Sequence, residues 1–276
     1  MKPLVDKLIE LAIAEDIGSG DITTDNLVPP DLTGSAVIIA KEPLVLAGLE
    51  TARQVFAWFD GKTVFEPTHA EGDLIETGTT FVKLEGRLAV LLKAERIALN
   101  FLQRLSGIAT HVRAYMDLIA DSPVRLVDTR KTIPGWRILE KYAVRVGGAS
   151  NHRMGLYDGV LIKDNHIAAC GGIKMAIHRA RQSVSHLVKI EIEVSSQDEV
   201  KQAIEAGADV IMLDNMDTPE IKQAVALIGS KAFVEVSGNV TMHNLKALAG
   251  TGVDIISIGA LTHAARAVDM SMRIKE

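Results

Sequence analysis

Three pairs of cations stand out between Asp128 and His166: Arg130 with Lys131, His152 with Arg153, and Lys163 with His166. The stretch reads DTRKTIPGWRILEKYAVRVGGASNHRMGLYDGVLIKDNH and holds seven Lys/Arg and two His against four acids, in a chain whose formal net charge is -5. It is a basic island in an acidic protein. Arg offers a planar fork that grips a carboxylate or phosphate through two parallel hydrogen bonds, and Lys adds a compact point charge. The pairs sit beside Gly, Pro and Asn at the ends of apolar runs, where a scaffold delivers functional groups, so they suit a polyanionic small molecule. Arg137, Lys141 and Arg145 recur at helical spacing inside GWRILEKYAVRV and read instead as a solvated helix face.

Acids and glycines follow the cations. Glu193 in EIEV and Asp214 in MLDN supply hard oxygen ligands, suited to Mg²⁺ that keeps several waters and binds jointly with a phosphorylated substrate. The eight histidines are scattered and give no i, i+4 pair of a helical zinc site. In SGN (Ser237, Gly238, Asn239) and GAL (Gly259, Ala260, Leu261), glycine allows backbone N–H groups close to a phosphate. Lys163, at the end of an apolar run, leaves open a Schiff-base lyase or aldolase.

Composition narrows the class. At 47% hydrophobic and 24% charged, the 276 residues form an ordinary globular chain of one or two domains. The single cysteine, Cys170 in AACGG, excludes an intrachain disulfide and a Cys-based metal cluster. An acidic balance with only 4% aromatics argues against a nucleic-acid surface. No apolar run approaches the roughly 18 residues of a membrane span, and no charged leader precedes an apolar segment, so a cytoplasmic protein with small-molecule partners is expected.

The elements that must carry these residues show as alternating patterns. Apolar strands are predicted at 124–129, 159–164, 188–194, 209–214, 232–237 and 254–259, separated by amphipathic helices such as SQDEVKQAIEAGA. Continuous apolar strands between helices mean parallel strands covered on both faces. The expected fold is therefore an α/β barrel, an incomplete TIM-like barrel of about six βα units, with an N-terminal α+β domain. The polar residues fall at the C-terminal ends of the strands, the face where such barrels place their active sites. Residues 1–106 form the predicted N-terminal domain and 107–264 the barrel, with a helix break at Ser106-Gly107 between them.

TRKTIPGWR, GGASNHR, LIKDNH, EIEV, MLDN, EVSGN and SIGALTH, in that order, resemble the quinolinate phosphoribosyltransferases, also called nicotinate-nucleotide pyrophosphorylases (carboxylating). The similarity runs from AEDIGSGDITT near the start to AVDMSMRI at the end; Ile133, Trp136 and Val236 depart from it only at apolar or spacer positions. The resemblance implies the reaction: phosphoribosyl transfer from phosphoribosyl pyrophosphate to quinolinate, giving nicotinate mononucleotide, CO₂ and pyrophosphate, with Mg²⁺ and no organic cofactor. It implies that Arg130, His152 and Arg153 bind the quinolinate carboxylates and that Lys131 and Lys163 flank quinolinate and pyrophosphate. Glu193 and Asp214 match metal and ribose positions, which with the two lysines make up the catalytic set. Ser237, Gly238 and Gly259, with their neighbours Asn239 and Ala260, match the phosphate loops. Arg96 matches an arginine contributed by an adjacent subunit, which implies a homodimer or higher assembly with shared sites, and residues 265–276 are expected to return to the N-terminal domain. Molybdenum-transport-associated relatives should lose parts of the Asn-His-Arg and Lys-Asp-Asn-His motifs, and both are intact. A nicotinate-using transferase would not need so many cations.

Overall fold

The computed structural model describes residues 2–275. The chain divides into two compact units, one made of the residues up to Arg113, Thr132–Gly148 and everything from Leu261 onward, the other of Ala114–Lys131 and Ala149–Ala260. Thr132–Gly148 therefore groups with the N-terminal part rather than with the barrel segment in which the sequence reading placed it. Among the described residues no helix is long and apolar enough to cross a membrane.

The first unit opens with α1 (Lys2–Ile17) and α2 (Ile22–Leu27). The Asp21 carboxylate caps α2, accepting from the N–H groups of Thr23 and Thr24 at 3.0 and 2.9 Å. Then come β1 (Thr33–Ala40), β2 (Leu44–Val45), α3 (Leu49–Phe59), β3 (Val64–Pro67), β4 (Leu74–Ile75) and β5 (Thr80–Arg87). Ile38, Phe56, Phe81, Leu84 and Leu91 are fully buried and form its centre. α3 begins at Gly48, which has no side chain to cap it, and Glu71 caps it from a distant loop by accepting from Gly48 and Leu49 N–H at 3.0 and 2.7 Å. Gly48 is required there: its φ is +104°, and a Cβ would stand 2.9 Å from Leu105 Cδ1.

α4 runs without interruption from Leu88 to Leu118, so the break predicted at Ser106-Gly107 does not occur. The two small residues serve packing instead. Ser106 Oγ accepts from Ala47 N–H and donates to Ala47 C=O at 2.9 and 3.0 Å, and a Cβ on Gly107 would lie 2.1 Å from Arg266 C=O. α5 (Arg137–Val146) corrects a second expectation, because Lys141 is fully buried; only Arg145 of its three cations is exposed. Beside Lys141, Glu140 is also fully buried and accepts from Arg104 Nη2 at 2.6 Å and from Ile133 N–H at 3.2 Å.

The second unit holds β6 (Arg125–Val127), β7 (Val160–Ile162), α6 (Asp164–Cys170), α7 (Ile173–Ser183), β8 (Ile190–Val194), α8 (Gln197–Glu205), β9 (Val210–Asp214), α9 (Thr218–Ile228), β10 (Phe233–Ser237), α10 (Met242–Ala249) and β11 (Ile255–Ser257). All six predicted strands form, and they pair in parallel in the order β6-β11-β10-β9-β8-β7. β6 and β7 are its two edges, and the arrangement is a barrel-like α/β unit. The first four residues of β9 are buried, as expected of a central strand covered on both faces. The helices begin at local start signals: Ser196 caps α8, and Asp217 with Glu220 forms a reciprocal capping box on α9.

The chain then passes through α11 (Ala260–His263) to β12 (Met270–Lys275), which returns to the first unit. β12 pairs antiparallel with β1, Ala36 opposite Ile274 and Ile38 opposite Met272, completing a sheet of order β12-β1-β5-β3.

Candidate active site

Because the six strands are parallel, their C-terminal ends share one edge, and most of the predicted residues stand there. Asp214 and Ser237 are the last residues of β9 and β10 and pair in register. Lys163 follows β7, Glu193 is the penultimate residue of β8, and Gly259 comes two residues after β11. Arg130 and Lys131 are exposed on the loop after β6. Arg96 is exposed on α4 and belongs to the first unit.

Residues two apart in a strand share a face. Glu191 and Glu193 therefore project to the same side of β8, as do Glu235 and Ser237 on β10. An upper layer of Glu193, Asp214 and Ser237 lies at the strand ends, and Glu191 and Glu235 form a deeper one. A cavity of about 330 Å³ is lined by His152, Arg153, Glu191 and Glu235 and reaches Arg125 and Lys189 near the strand beginnings.

The cations are oriented by backbone and acid contacts. Lys163 Nζ donates to Glu193 Oε2 at 2.6 Å, and the Lys163 N–H donates to His166 Nδ1 at 3.0 Å, so His166 closes the first turn of α6. Arg153 Nη1 donates to Gly159 C=O at 3.1 Å, which directs the guanidinium. Burial, then the charge of nearby Arg130, hold Arg153 below the usual guanidinium value against the opposing pull of Glu191 and Asp158. The two guanidiniums thus bring like charge into one neighbourhood, which a bound anion would relieve.

His152 is anchored on every side. Its backbone N–H donates to Asp128 Oδ1 at 2.9 Å, its Nδ1 accepts from the Arg153 N–H at 2.7 Å, and its Nε2 lies 3.1 Å from Glu191 Oε2. The sequence reading made His152 a carboxylate ligand, but in this structure both ring nitrogens are engaged within the protein. Asp128, fully buried at the end of β6, also accepts from Asn151 Nδ2 at 2.7 Å and so fixes the Asn-His-Arg turn. Sequence reasoning missed Asp128 as a site residue, although it begins the Asp-Thr-Arg-Lys run.

The glycine turns are built with left-handed backbone. Asn215, Gly238 and Asn239 have φ of 55°, 90° and 51°. A Cβ on Gly238 would fall 2.3 Å from Asn215 Oδ1. A chain of amides ties the turns together: Asn239 Nδ2 donates to Asn215 Oδ1 at 2.9 Å and Asn215 Nδ2 to Asp214 Oδ2 at 2.7 Å. Asn215 is a second residue that sequence reasoning passed over; its place in the Asp-Asn pair, next to a predicted ligand, was the available signal.

Glu193 and Asp214 fit a hard cation. Both are half-buried carboxylates on adjacent strand ends, and each engages one oxygen with a neighbour, leaving the other as a hard ligand. His152, Glu191 and Glu235 also bring three donor atoms within 4.8 Å of one another. That deeper group is not a metal cage, because the Nδ1 lone pair is taken by the Arg153 amide and Nε2 must then carry the ring proton.

A barrel-like α/β unit with arginines, lysines, two carboxylates and glycine turns along one strand edge defines an enzyme that handles phosphates and other anions. Comparison with known proteins is more specific. Residues 21–106 match the model of the quinolinate phosphoribosyl transferase N-terminal domain and residues 108–273 that of its C-terminal domain. The chain is 43% identical to the probable nicotinate-nucleotide pyrophosphorylase [carboxylating] of Bacillus subtilis, over 97% of this chain and 92% of that protein. Identity to the Synechocystis protein of the same description is 45%, over 98% and 92%. The nicotinate-nucleotide pyrophosphorylase structure from Francisella tularensis superposes with a TM-score of 0.95 at 40% identity, covering 100% of this chain and 97% of that one. The chain belongs to the quinolinate phosphoribosyltransferase family.

Proposed function

We propose that this protein transfers the phosphoribosyl group of phosphoribosyl pyrophosphate to quinolinate, with loss of the C2 carboxylate as CO₂, to give nicotinate mononucleotide and pyrophosphate for NAD synthesis. The observation that carries the substrate reading is Arg153 near Arg130, two guanidiniums that a substrate with two adjacent carboxylates would neutralise. In the first step the ring nitrogen attacks the ribose C1 and pyrophosphate leaves through an oxocarbenium-like centre. Such a step needs positioning and charge stabilisation rather than a protein nucleophile. Arg130 and Arg153 hold the carboxylates, and Lys131 and Lys163 lie between them and the leaving pyrophosphate. The Ser237-Gly238-Asn239 and Gly259-Ala260 turns take the terminal phosphate. Glu193 and Asp214 would hold Mg²⁺, which when bound neutralises phosphate charge. In the second step the cationic ring nitrogen stabilises the electron pair left at C2 when CO₂ departs, and a proton replaces it.

Within this reading the strand-end unit is an incomplete TIM-like barrel, the enzyme works in the cytoplasm, and Arg96 completes the site of a second copy in a homodimer or larger assembly. A Schiff-base role for Lys163 is disfavoured by its surroundings, since the side chain is exposed and bonded to Glu193 rather than desolvated. Crystals soaked with phthalate, a non-reactive dicarboxylate, test the assignment. Phthalate is expected on Arg130 and Arg153, and its binding elsewhere would remove the basis for the quinolinate reading.

A further inference from the structure

The deeper layer of the site has no part in the chemistry above. Glu191 and Glu235 are only 8% and 2% exposed, and their Oε1 atoms have no hydrogen-bond partner among the described residues. Carboxyl groups taken out of water carry a desolvation penalty that apolar residues of the same size would not, so two side by side call for a function. The polar side chain they share is His152, whose Nε2 lies 3.1 Å from Glu191 Oε2 and 3.7 Å from Glu235 Oε1. On the opposite side of the ring, Nδ1 accepts the backbone N–H of Arg153. That contact exists only while Nδ1 is unprotonated, and the proton on Nε2 then needs an acceptor inside the barrel.

We propose that Glu191 and Glu235 are positioning residues for the substrate-anion site: they hold His152 as its Nε2–H tautomer, which keeps Nδ1 as the anchor of the Arg153 amide and presents the Arg153 guanidinium to a substrate carboxylate. Glu191 is the acceptor. Glu235 stands behind it, its carboxyl pushed up to about 8 by burial and by the neighbouring Glu191, so it is held neutral beside its partner. The ligand identity rests on the quinolinate reading; the tautomer does not.

The test uses the full chain. Nitrogen-15 NMR of the His152 ring, assigned by its loss in His152→Gln, is expected to show protonated Nε2 and unprotonated Nδ1 in the wild type; protonated Nδ1 would overturn the proposal whatever the substrate. The double variant Glu191→Leu/Glu235→Leu relieves two desolvated carboxyls but leaves the His152 Nε2–H without its acceptor, so thermal unfolding establishes that it is folded before binding is read. It should bind quinolinate about tenfold to a hundredfold more weakly, as expected when a gripping group is displaced, with phosphoribosyl pyrophosphate affinity changed less than about threefold. Glu235→Gln alone, with Glu191 still present as the acceptor, keeps a neutral polar group at 235 and should bind quinolinate nearly as tightly as the wild type. A folded double variant that binds quinolinate as the wild type does would refute the positioning role. If the wild type itself ignores quinolinate, the functional reading fails and the tautomer result still judges the proposal.

Discussion

Removing the Arg153 guanidinium would leave a desolvated carboxylate opposite Arg130 alone. Arg153→Ala should therefore weaken quinolinate binding by about 2 to 5 kcal/mol and phosphoribosyl pyrophosphate far less. Calorimetric titration of each ligand reads this, and equal losses would take Arg153 out of the carboxylate site. Glu235 makes a different prediction. Its carboxyl is raised to about 8 in the folded protein, so the native state keeps a proton that the unfolded chain releases near the ordinary glutamate value. Its contribution therefore falls as pH rises from about 5 to 8 and levels off above that. Thermal midpoints across this range should fall less steeply in Glu235→Gln than in the wild type, and an unchanged slope would mean that another group carries the dependence.

At the scale of elements, Gly107 shows how context reverses a local preference. Replacing a helix glycine by alanine ordinarily gains about 1 kcal/mol from propensity. Here the new Cβ would lie 2.1 Å from the Arg266 carbonyl, so Gly107→Ala should instead destabilise by about 1 to 3 kcal/mol in urea unfolding. The same residue marks the limit of what the sequence made legible. Ser-Gly is a turn signal in a single chain, and only the return of the C-terminal segment against α4 turns it into a packing surface. Lys141 misled likewise: helical spacing identified its helix, but not that the cation would lie inside the unit. The six parallel strands were legible because each is an apolar run, and the polar residues at or just beyond most of their C-terminal ends marked the edge at which the candidate residues stand. Asp128, Glu191 and Glu235 were harder to assign, since an acid in a strand does not announce whether it faces a ligand or anchors another residue. Gly238→Ala tests the turn geometry. With φ at 90° and Asn215 Oδ1 2.3 Å from the new Cβ, it should disrupt the amide chain and raise the KM for phosphoribosyl pyrophosphate while leaving quinolinate affinity close to wild type.

For the whole molecule, the position of Arg96 in the unit that lacks the other site residues is accounted for if it serves a second copy. Arg96→Ala and Lys131→Ala should each be nearly inactive, and co-refolding the two should restore up to about a quarter of wild-type activity, because a mixed dimer collects both lesions in one site and neither in the other. No recovery in verified mixed dimers would place Arg96 outside the shared site. The central claim, that two carboxylates are recognised and one is lost, is tested most directly with quinolinate labelled in its C2 carboxyl, supplied with phosphoribosyl pyrophosphate and Mg²⁺. Labelled CO₂ and pyrophosphate should appear in equal amounts, with nicotinate failing to substitute; pyrophosphate without labelled CO₂, or nicotinate turning over as well as quinolinate, would contradict it.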